Sequence, residues 1–450
     1  MSPRLSASLV WGSIAAMTLV TLALLARNIL TIWVHVPLDP NEGWNGAHAL
    51  AVLAGHGLYP SPQALMVNNY PPLSFYLVAG VARHGADVIV VGRWIALAAY
   101  LATAAGVAGV LQQMKCGPDA AALGALFFTT LVLVTSDYAG IDDPQLLGHA
   151  VQLGALVLLL RERIVAAALL FAVSLFIKHN LLALPLATGL WLLIQDRRAG
   201  IHFLLWGMAF TLTGLVLFQL GFGTSLIAQL MSPRLSSLAN VGAALAHLWW
   251  IVLPVIAMAG LWADRTSLFC TLYAGVALVL GLIFAAGDGV DANAFFDSGI
   301  ALSLALGLVV ERGRWPMLAA ASAVPLLVFL AVNFQNNNFF FTRDFIRQSA
   351  RDIAFLKSRS GPALCDQLSL CLWADKGAQV DVFNIGEAIK AGARDSKVLT
   401  GMINDRSFAT IQLIDRDGLG PDVRGAIEKN YRADHSDDNG TFLVPATRAP

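Results

Sequence analysis

Charge is what this sequence has least of. Only 13% of its 450 residues are Asp, Glu, Lys or Arg, about half the roughly 25% of an ordinary soluble protein. The 29 basic and 29 acidic residues cancel, and no basic block offers nucleic acid an electrostatic footprint. Cysteine is scarce too: Cys116, Cys270, Cys365 and Cys371 lack the spacing of a metal site. Internal repeats and low-complexity tracts are missing. The N-terminal apolar run, about residues 8–26, exceeds the roughly 7–15 residues of a signal h-region. It has no small-residue cleavage site before Pro37, so it is expected to stay as a first span.

What fills the chain is apolar: 57% of residues, at a mean hydropathy of +0.66. A membrane span takes about 20 apolar residues. Runs near 8–33, 89–112, 119–136, 145–161, 164–178, 181–195, 201–221, 248–263, 266–286, 295–311 and 315–333 meet or approach that length. The expected fold class is therefore mainly α: a polytopic membrane protein of about eleven transmembrane helices over residues 1–333. A small soluble α/β domain should follow over 334–450, where charge returns and no long apolar run remains. There ALCD, QVDVF, TIQLID and TFLVP alternate like strands, and QLSLCLWAD, IGEAIKAG and VRGAIEKNY pattern as short helices.

Charge also sets an orientation. With the N-terminus in the cytoplasm, inner loops carry Arg4, Lys115, Arg161, Arg163, Arg197, Arg198, Arg265, Arg312 and Arg314. Outer loops and span ends carry Arg27, Arg83, Arg93, Lys178 and Arg234. Nine against five satisfies the excess of Lys and Arg on the cytoplasmic side. Loop acids such as Asp39, Glu42, Asp142 and Asp143 then lie outside. With an odd number of spans, so does the C-terminal domain, and an oxidising compartment permits a Cys365–Cys371 disulfide. A strand-to-helix position can equally keep the two apart.

The longest polar interruption, residues 35–76, follows the first span. Asp39 suits a helix N-cap, Pro40 the first helical position and Glu42 the third, as in a capping box. Trp44, Ala47, Leu50, Ala51 and Ala54 follow at helical spacing, an amphipathic pattern expected to lie on the membrane surface. Gly55 and Gly57 end that helix and Pro72 opens the next, with Tyr70 where aromatic belts form. Asp39 or Glu42 serves as a cap, as a general base, or as both; desolvation raises a carboxylate's basicity. His35, His48 and His56 have no metal-ligand spacing. Asp142–Asp143 starts a helix or holds a divalent cation or a sugar hydroxyl. Lys178–His179–Asn180 interrupts an apolar stretch and suits a phosphate, and an ionisable group at membrane depth is a site candidate. Arg93 and Arg234 are interfacial anchors or phosphate ligands. Asn293, Phe295 and Phe296, in the late loop 287–299, suit a sugar or lipid groove.

In their order, DPNEGWNGAHAL, GHGLYP, NNYPPLSFYL with Gly92–Arg93, GIDDPQLL, FIKHNLLALPLA and Asn293–Ala294–Phe295–Phe296 resemble a known family. It is the polyprenol-dependent integral-membrane glycosyltransferases of the GT-C superfamily, which include protein O-mannosyltransferases, aminoarabinose lipid A transferases and rhizobial lipopolysaccharide core transferases. The likeness covers about residues 30–310. The family's adjacent Asp–Glu is Asn41–Glu42 here, with Asp39 two residues earlier. The resemblance implies a sugar on a polyprenyl phosphate as donor and a hydroxyl of a lipid, glycan or protein as acceptor. It implies Asp39 or Glu42 as base, transfer with inversion, and a cation for the leaving phosphate: Lys178 first, then Arg93 and Arg234. Tyr70, His179, Asn180 and Asn293 would line the donor site. No cofactor is legible; a divalent cation at Asp142 and Asp143 is the one candidate. The competing expectations are a polytopic transporter or lipid flippase, which would more often show paired repeats, and a non-catalytic glycolipid-binding relative.

Overall fold

Apolar runs set the helices, several of them opened by a capping aspartate. The computed structural model describes residues 3–61, 63–248, 264–313, 317–335, 343–415 and 417–446. After α1 (Pro3–Thr31) come α2 (Pro40–Leu53), α3 (Leu73–Ala82), α4 (Val88–Gln113) and α5 (Pro118–Thr135). Helices α6 (Gln145–Leu160), α7 (Ile164–Ile177), α8 (Ala183–Gln195) and α9 (Arg197–Phe222) continue the bundle. Short α10 (Ser225–Leu230) and α11 (Leu238–His247) precede α12 (Arg265–Ala285), α13 (Phe296–Glu311) and α14 (Met317–Gln335). Asp87, Asp196 and Asp264 cap α4, α9 and α12, each accepting two backbone N–H groups that the first helical turn leaves unpaired.

The chain is a polytopic, mainly α-helical membrane protein with a small C-terminal β-containing domain. Among the described residues, six helices are long and apolar enough to cross a bilayer: Ala7–Thr31, Val88–Gln113, Pro118–Thr135, Arg197–Phe222, Arg265–Ala285 and Ala292–Glu311. That is fewer than the eleven expected. At four other expected places the apolar helices are shorter: Gln145–Leu160, Ile164–Ile177, Ala183–Gln195 and Ala320–Val332. Polar breaks such as Arg161–Glu162–Arg163 and Lys178–His179–Asn180 end them early. The expected span 248–263 lies outside the described residues beyond Leu248, as does Arg314.

Burial sorts the long helices. The last of the six has 94% of its span window inside the protein and forms the centre of the bundle. In α9 the corresponding share is 6%; Leu205, Met208, Leu212, Val216, Leu217 and Leu220 are exposed. An exposed apolar face of this extent is stable against lipid rather than water.

The C-terminal domain begins with α15 (Arg343–Ser358) and carries a four-stranded sheet. Its strands are β1 (Ala363–Cys365), β2 (Thr410–Leu413), β3 (Tyr431–Asp437) and β4 (Gly440–Pro445), in the order β1-β2-β4-β3. β1 pairs with β2 in parallel, and the other pairs are antiparallel. Helices α16 (Leu368–Trp373), α17 (Val382–Lys390), α18 (Lys397–Asn404) and α19 (Pro421–Asn430) surround it. QVDVF, expected as a strand, instead opens α17, because Asp381 caps it by accepting from Asn384 N–H. β3 was unforeseen: it is a polar edge strand with no alternating pattern. Cys365 and Cys371 form a disulfide.

Helix α2 departs from its expected setting. Its residues Glu42–Ala49 are buried by protein, not laid on a lipid surface. Trp44 packs with Leu58, Tyr59, Phe75 and Leu368, so the first loop is clasped between the bundle and the C-terminal domain. Gly43 permits this contact, since a Cβ there would overlap the Ser369 and Leu368 backbone of α16. Gly43→Val is therefore expected to destabilise the protein by about 1–3 kcal/mol through overpacking. An unchanged melting temperature in detergent would contradict the close approach.

Candidate active site

Arg93 is fully buried and organises the end of the bundle where α1 leads into α2. Its Nε and Nη2 donate to the Glu42 carboxylate at 2.7 and 2.8 Å. Nη1 donates to the carbonyls of Thr31, Ile32 and Val34, and Nη2 also to Val36. Glu42 in turn accepts from the N–H of Leu38 and of Asp142, at 3.1 and 3.2 Å. Neither partner has capacity left for a substrate. Glu42 is thus held by an ion pair and two amides, and Arg93 is neutralised beside it.

Asp39 is different. It sits half-buried at the N-cap of α2, where its carboxylate accepts one N–H, from Asn41, at 2.7 Å. The capping expectation holds, although Glu42 turns to Arg93 and Leu38 instead of completing the box. Desolvation raises the Asp39 pKa to about 6 against that amide, and the negative charges of Asp143, Glu42 and Asp291 add to the rise.

The second acidic motif does not suit a metal. Asp143 accepts from Lys178 Nζ at 2.9 and 3.1 Å, and from the Gln145 N–H at 2.7 Å. A cation therefore already occupies its carboxylate. Asp142 is buried, and burial, with the nearby Glu42 and Asp143 charges, raises its pKa well above the carboxylate range. Burial thus disfavours the ionised form that a divalent ion needs. The carboxyl of Asp142 lies so close to Gly92 that a Cβ there would overlap it. Asp143 is thus paired with Lys178, and the Asp142 carboxyl is packed against Gly92. Among the described residues, Asp352, His435 and Asp437 of the C-terminal domain place one metal-capable atom each within 4.8 Å. Asp352 there already accepts from Asn439 and pairs with His435.

Lys178 is buried beside Asp143, its Nζ 4.8 Å from the Tyr70 ring centroid. The phosphate role expected first of Lys178 thus meets a cation already neutralised. The exposed His179 ring lies 6.4 Å from Tyr70, and Asn180 keeps an unpartnered Oδ1. Asn293 is half-buried on a 3-10 turn (Ala292–Phe295), where its carbonyl accepts from Gln145. Arg234 is exposed, 5.4 Å from the Phe383 ring centroid, and has no carboxylate partner among the described residues. Its charge reaches Tyr70. The histidines of the first loop do not converge. His48 is buried against the Val67 carbonyl with its pKa lowered to about 4 by burial, His35 stacks on Trp373, and His56 is exposed.

Beside this cluster lies a mainly apolar cavity of about 490 Å³, lined by Phe128, Leu131, Val132, Phe295, Phe296 and Phe329 among others. Asp288 and Asp291 stand at its polar end. Sequence reasoning missed three groups here. Asp291 was taken only as part of a loop. Asp381 accepts from Trp44 Nε1 at 2.9 Å. Gln145 bridges His149 and the Asn293 carbonyl. An N-cap pattern, Asp381 three residues before Asn384, was the one available signal.

No protein-family model matches the chain, and no curated protein is significantly similar in sequence. Solved structures are. A crystal structure of ArnT from Cupriavidus metallidurans in the apo state superposes with a TM-score of 0.61 at 13% identity, over 94% of this chain and 97% of that one. The chain has the ArnT fold. The same enzyme bound to undecaprenyl phosphate gives 0.60, again at 13% identity, over 97% and 98%. The likeness expected from the motif order is thus met at the level of fold, across nearly the whole of both chains.

The buried pair yields a prediction. Arg93→Met alone leaves a buried carboxylate without its cation and should cost about 3–5 kcal/mol. The double variant Arg93→Met with Glu42→Gln should be more stable than Arg93→Met, since neither charge is then stranded. Thermal melts in detergent measure both; strictly additive losses would sink the assignment of Glu42 to structure.

Proposed function

We propose that the protein is a GT-C-type membrane glycosyltransferase that moves a sugar from a polyprenyl-phosphate donor to a hydroxyl acceptor at the outer face of the cytoplasmic membrane. One observation carries the reading. Asp39 is a desolvated carboxylate with no cation partner among the described residues, close enough to feel the charge of Asp291, which lines a large apolar cavity. The ArnT fold, found in a structure bound to undecaprenyl phosphate, supports it.

In this reading Asp39 accepts the proton of the acceptor hydroxyl as its oxygen attacks the anomeric carbon. The bond to the lipid phosphate breaks and configuration inverts. Arg234, unpaired, takes first place as the cation that stabilises the departing phosphate. Lys178 stays with Asp143 and supports Tyr70, while His179, Asn180 and Asn293 contact the donor's sugar. The apolar cavity takes the lipid chain.

The topology belongs to the same proposal. The N-terminus is cytoplasmic, the shorter apolar helices cross the membrane as well, and the domain from about residue 334 lies outside. The Cys365–Cys371 disulfide supports that side, because such bonds persist in oxidising compartments.

Asp39→Asn should lower kcat by roughly 10²–10⁴, the usual contribution of a general base, with insertion and melting unchanged. A base works only when ionised. Since burial raises Asp39 to about 6, wild-type kcat/KM should rise with pH through about 6 and fall below it. Transfer of radiolabelled sugar from a polyprenyl-phosphate donor to total envelope lipid and glycan measures both. Full activity of Asp39→Asn, or a flat profile between pH 5 and 7, would remove the base assignment.

A further inference from the structure

A second, much smaller cavity lies where α2, α3, α4 and the Asp142–Asp143 turn meet. Its volume is about 20 Å³, and Asn45, Ser74, Gly92 and Asp142 line it. Three of these residues each keep one buried oxygen without a hydrogen-bond partner: Asn45 Oδ1, Ser74 Oγ and Asp142 Oδ2. The residues are 3%, 6% and 4% exposed. Buried polar atoms are almost always paired, and each one left unpaired is costly. Three around one small space point to a shared ligand.

Size and chemistry select it. A buried water needs about 10–15 Å³ and two to four polar partners. We propose that this cavity binds one ordered water bridging Asn45, Ser74 and Asp142. The donors balance. The Asn45 amide oxygen only accepts, so the water donates to it. The Ser74 hydroxyl accepts or donates, and burial, by raising the Asp142 pKa, favours the acid form whose O–H can donate to the water. The water uses both its hydrogens and a lone pair, and no oxygen is orphaned. A sodium ion would want more oxygen ligands than these three.

The water also gives the first acid of the motif a role. The backbone of Asp142 is already fixed on α2: its N–H donates to Glu42 and its carbonyl accepts from Asn45 Nδ2 at 2.7 Å. The water fixes the side chain as well, at the residue preceding the partner of Lys178. The site stands on burial and hydrogen-bonding capacity alone, so it holds or fails independently of the transferase reading.

The test is a cryo-EM map of the full chain in nanodiscs at water-resolving resolution, paired with thermal melts in sodium and in choline. A peak within hydrogen-bond distance of all three oxygens, with equal melting temperatures in both salts, is the expected result. Asp142→Asn, which keeps a donor and an acceptor, should retain the peak and the melting temperature. Ser74→Val should lose the peak and melt several degrees lower; if it fails to insert, the wild-type and Asp142→Asn maps decide. No peak in a map that resolves other internal waters overturns the proposal. So does a melting temperature that falls when sodium is replaced, which would assign the site to a cation.

Discussion

The half of the molecule that carries the first loop depends on the guanidinium of Arg93. Helix α1 ends at Thr31, and the chain must run irregularly to Asp39 before α2 begins. Those residues leave carbonyls without helical donors. Arg93 answers four of them and Glu42 at once. Only a planar fork of five N–H groups reaches so many acceptors; a lysine offers three donors on a single nitrogen. Burying two charges is expensive and is offset only when nearly every donor and lone pair is satisfied. That condition is met here. Through Glu42 the same pair fixes the amide of Asp142, so one interaction sets the first loop, the start of α2 and the second acidic motif.

Charge pairing then decides what is left for chemistry. Arg93 with Glu42 and Lys178 with Asp143 are two buried units, each neutral overall. An unpaired ammonium near Asp39 would hold its proton affinity down. Because Asp143 cancels Lys178, desolvation and neighbouring carboxylates prevail, and Asp39 rises to about 6. The acid pairs expected to act together therefore divide. Glu42 and Asp143 bind cations within the protein, burial raises the Asp142 pKa, and Asp39 is left basic. On the other sign, Arg234 is the outer cation of the candidate set that keeps its charge uncompensated among the described residues.

Much of the fold was legible because apolar length and Asp or Pro start signals act locally. The helix at Pro40 and the bounds of α4, α5 and α12 follow directly from such signals. What was illegible depends on partners far apart in sequence. Glu42 and Arg93 are 51 residues apart, and nothing in either segment says that they meet. Asp39 and Glu42 looked equivalent as cap residues; only the position of Arg93 separates them. The amphipathic pattern of α2 was real, but it could not say whether lipid or the C-terminal domain would cover it. The misassigned QVDVF segment shows a local conflict: Val380 and Val382 alternate like a strand, yet both are buried beside a capping aspartate that starts a helix. Strand β3 escaped notice because an edge strand with polar residues on both faces has no period to detect.

The C-terminal domain is part of the site's wall. Asp381 accepts from Trp44 on α2, and its N–H donates to the Leu65 carbonyl. Asn384 accepts from Asn69, and Glu387 from the N–H of Leu235. Phe383 packs over Gly289, at the polar end of the large cavity, and under Arg234. One short helix, α17, thus touches the loop that carries Asp39, the loop that carries Arg234 and the loop that carries Asp291. Arg234 has no carboxylate partner among the described residues and lies over the aromatic face of Phe383. Burial raises Asp381 to about 6 against the hydrogen bonds from Asn384 and Trp44. The clasp between the domain and the first loop therefore titrates in the same range as the candidate base, and acidification reaches the geometry of the site as well as its chemistry.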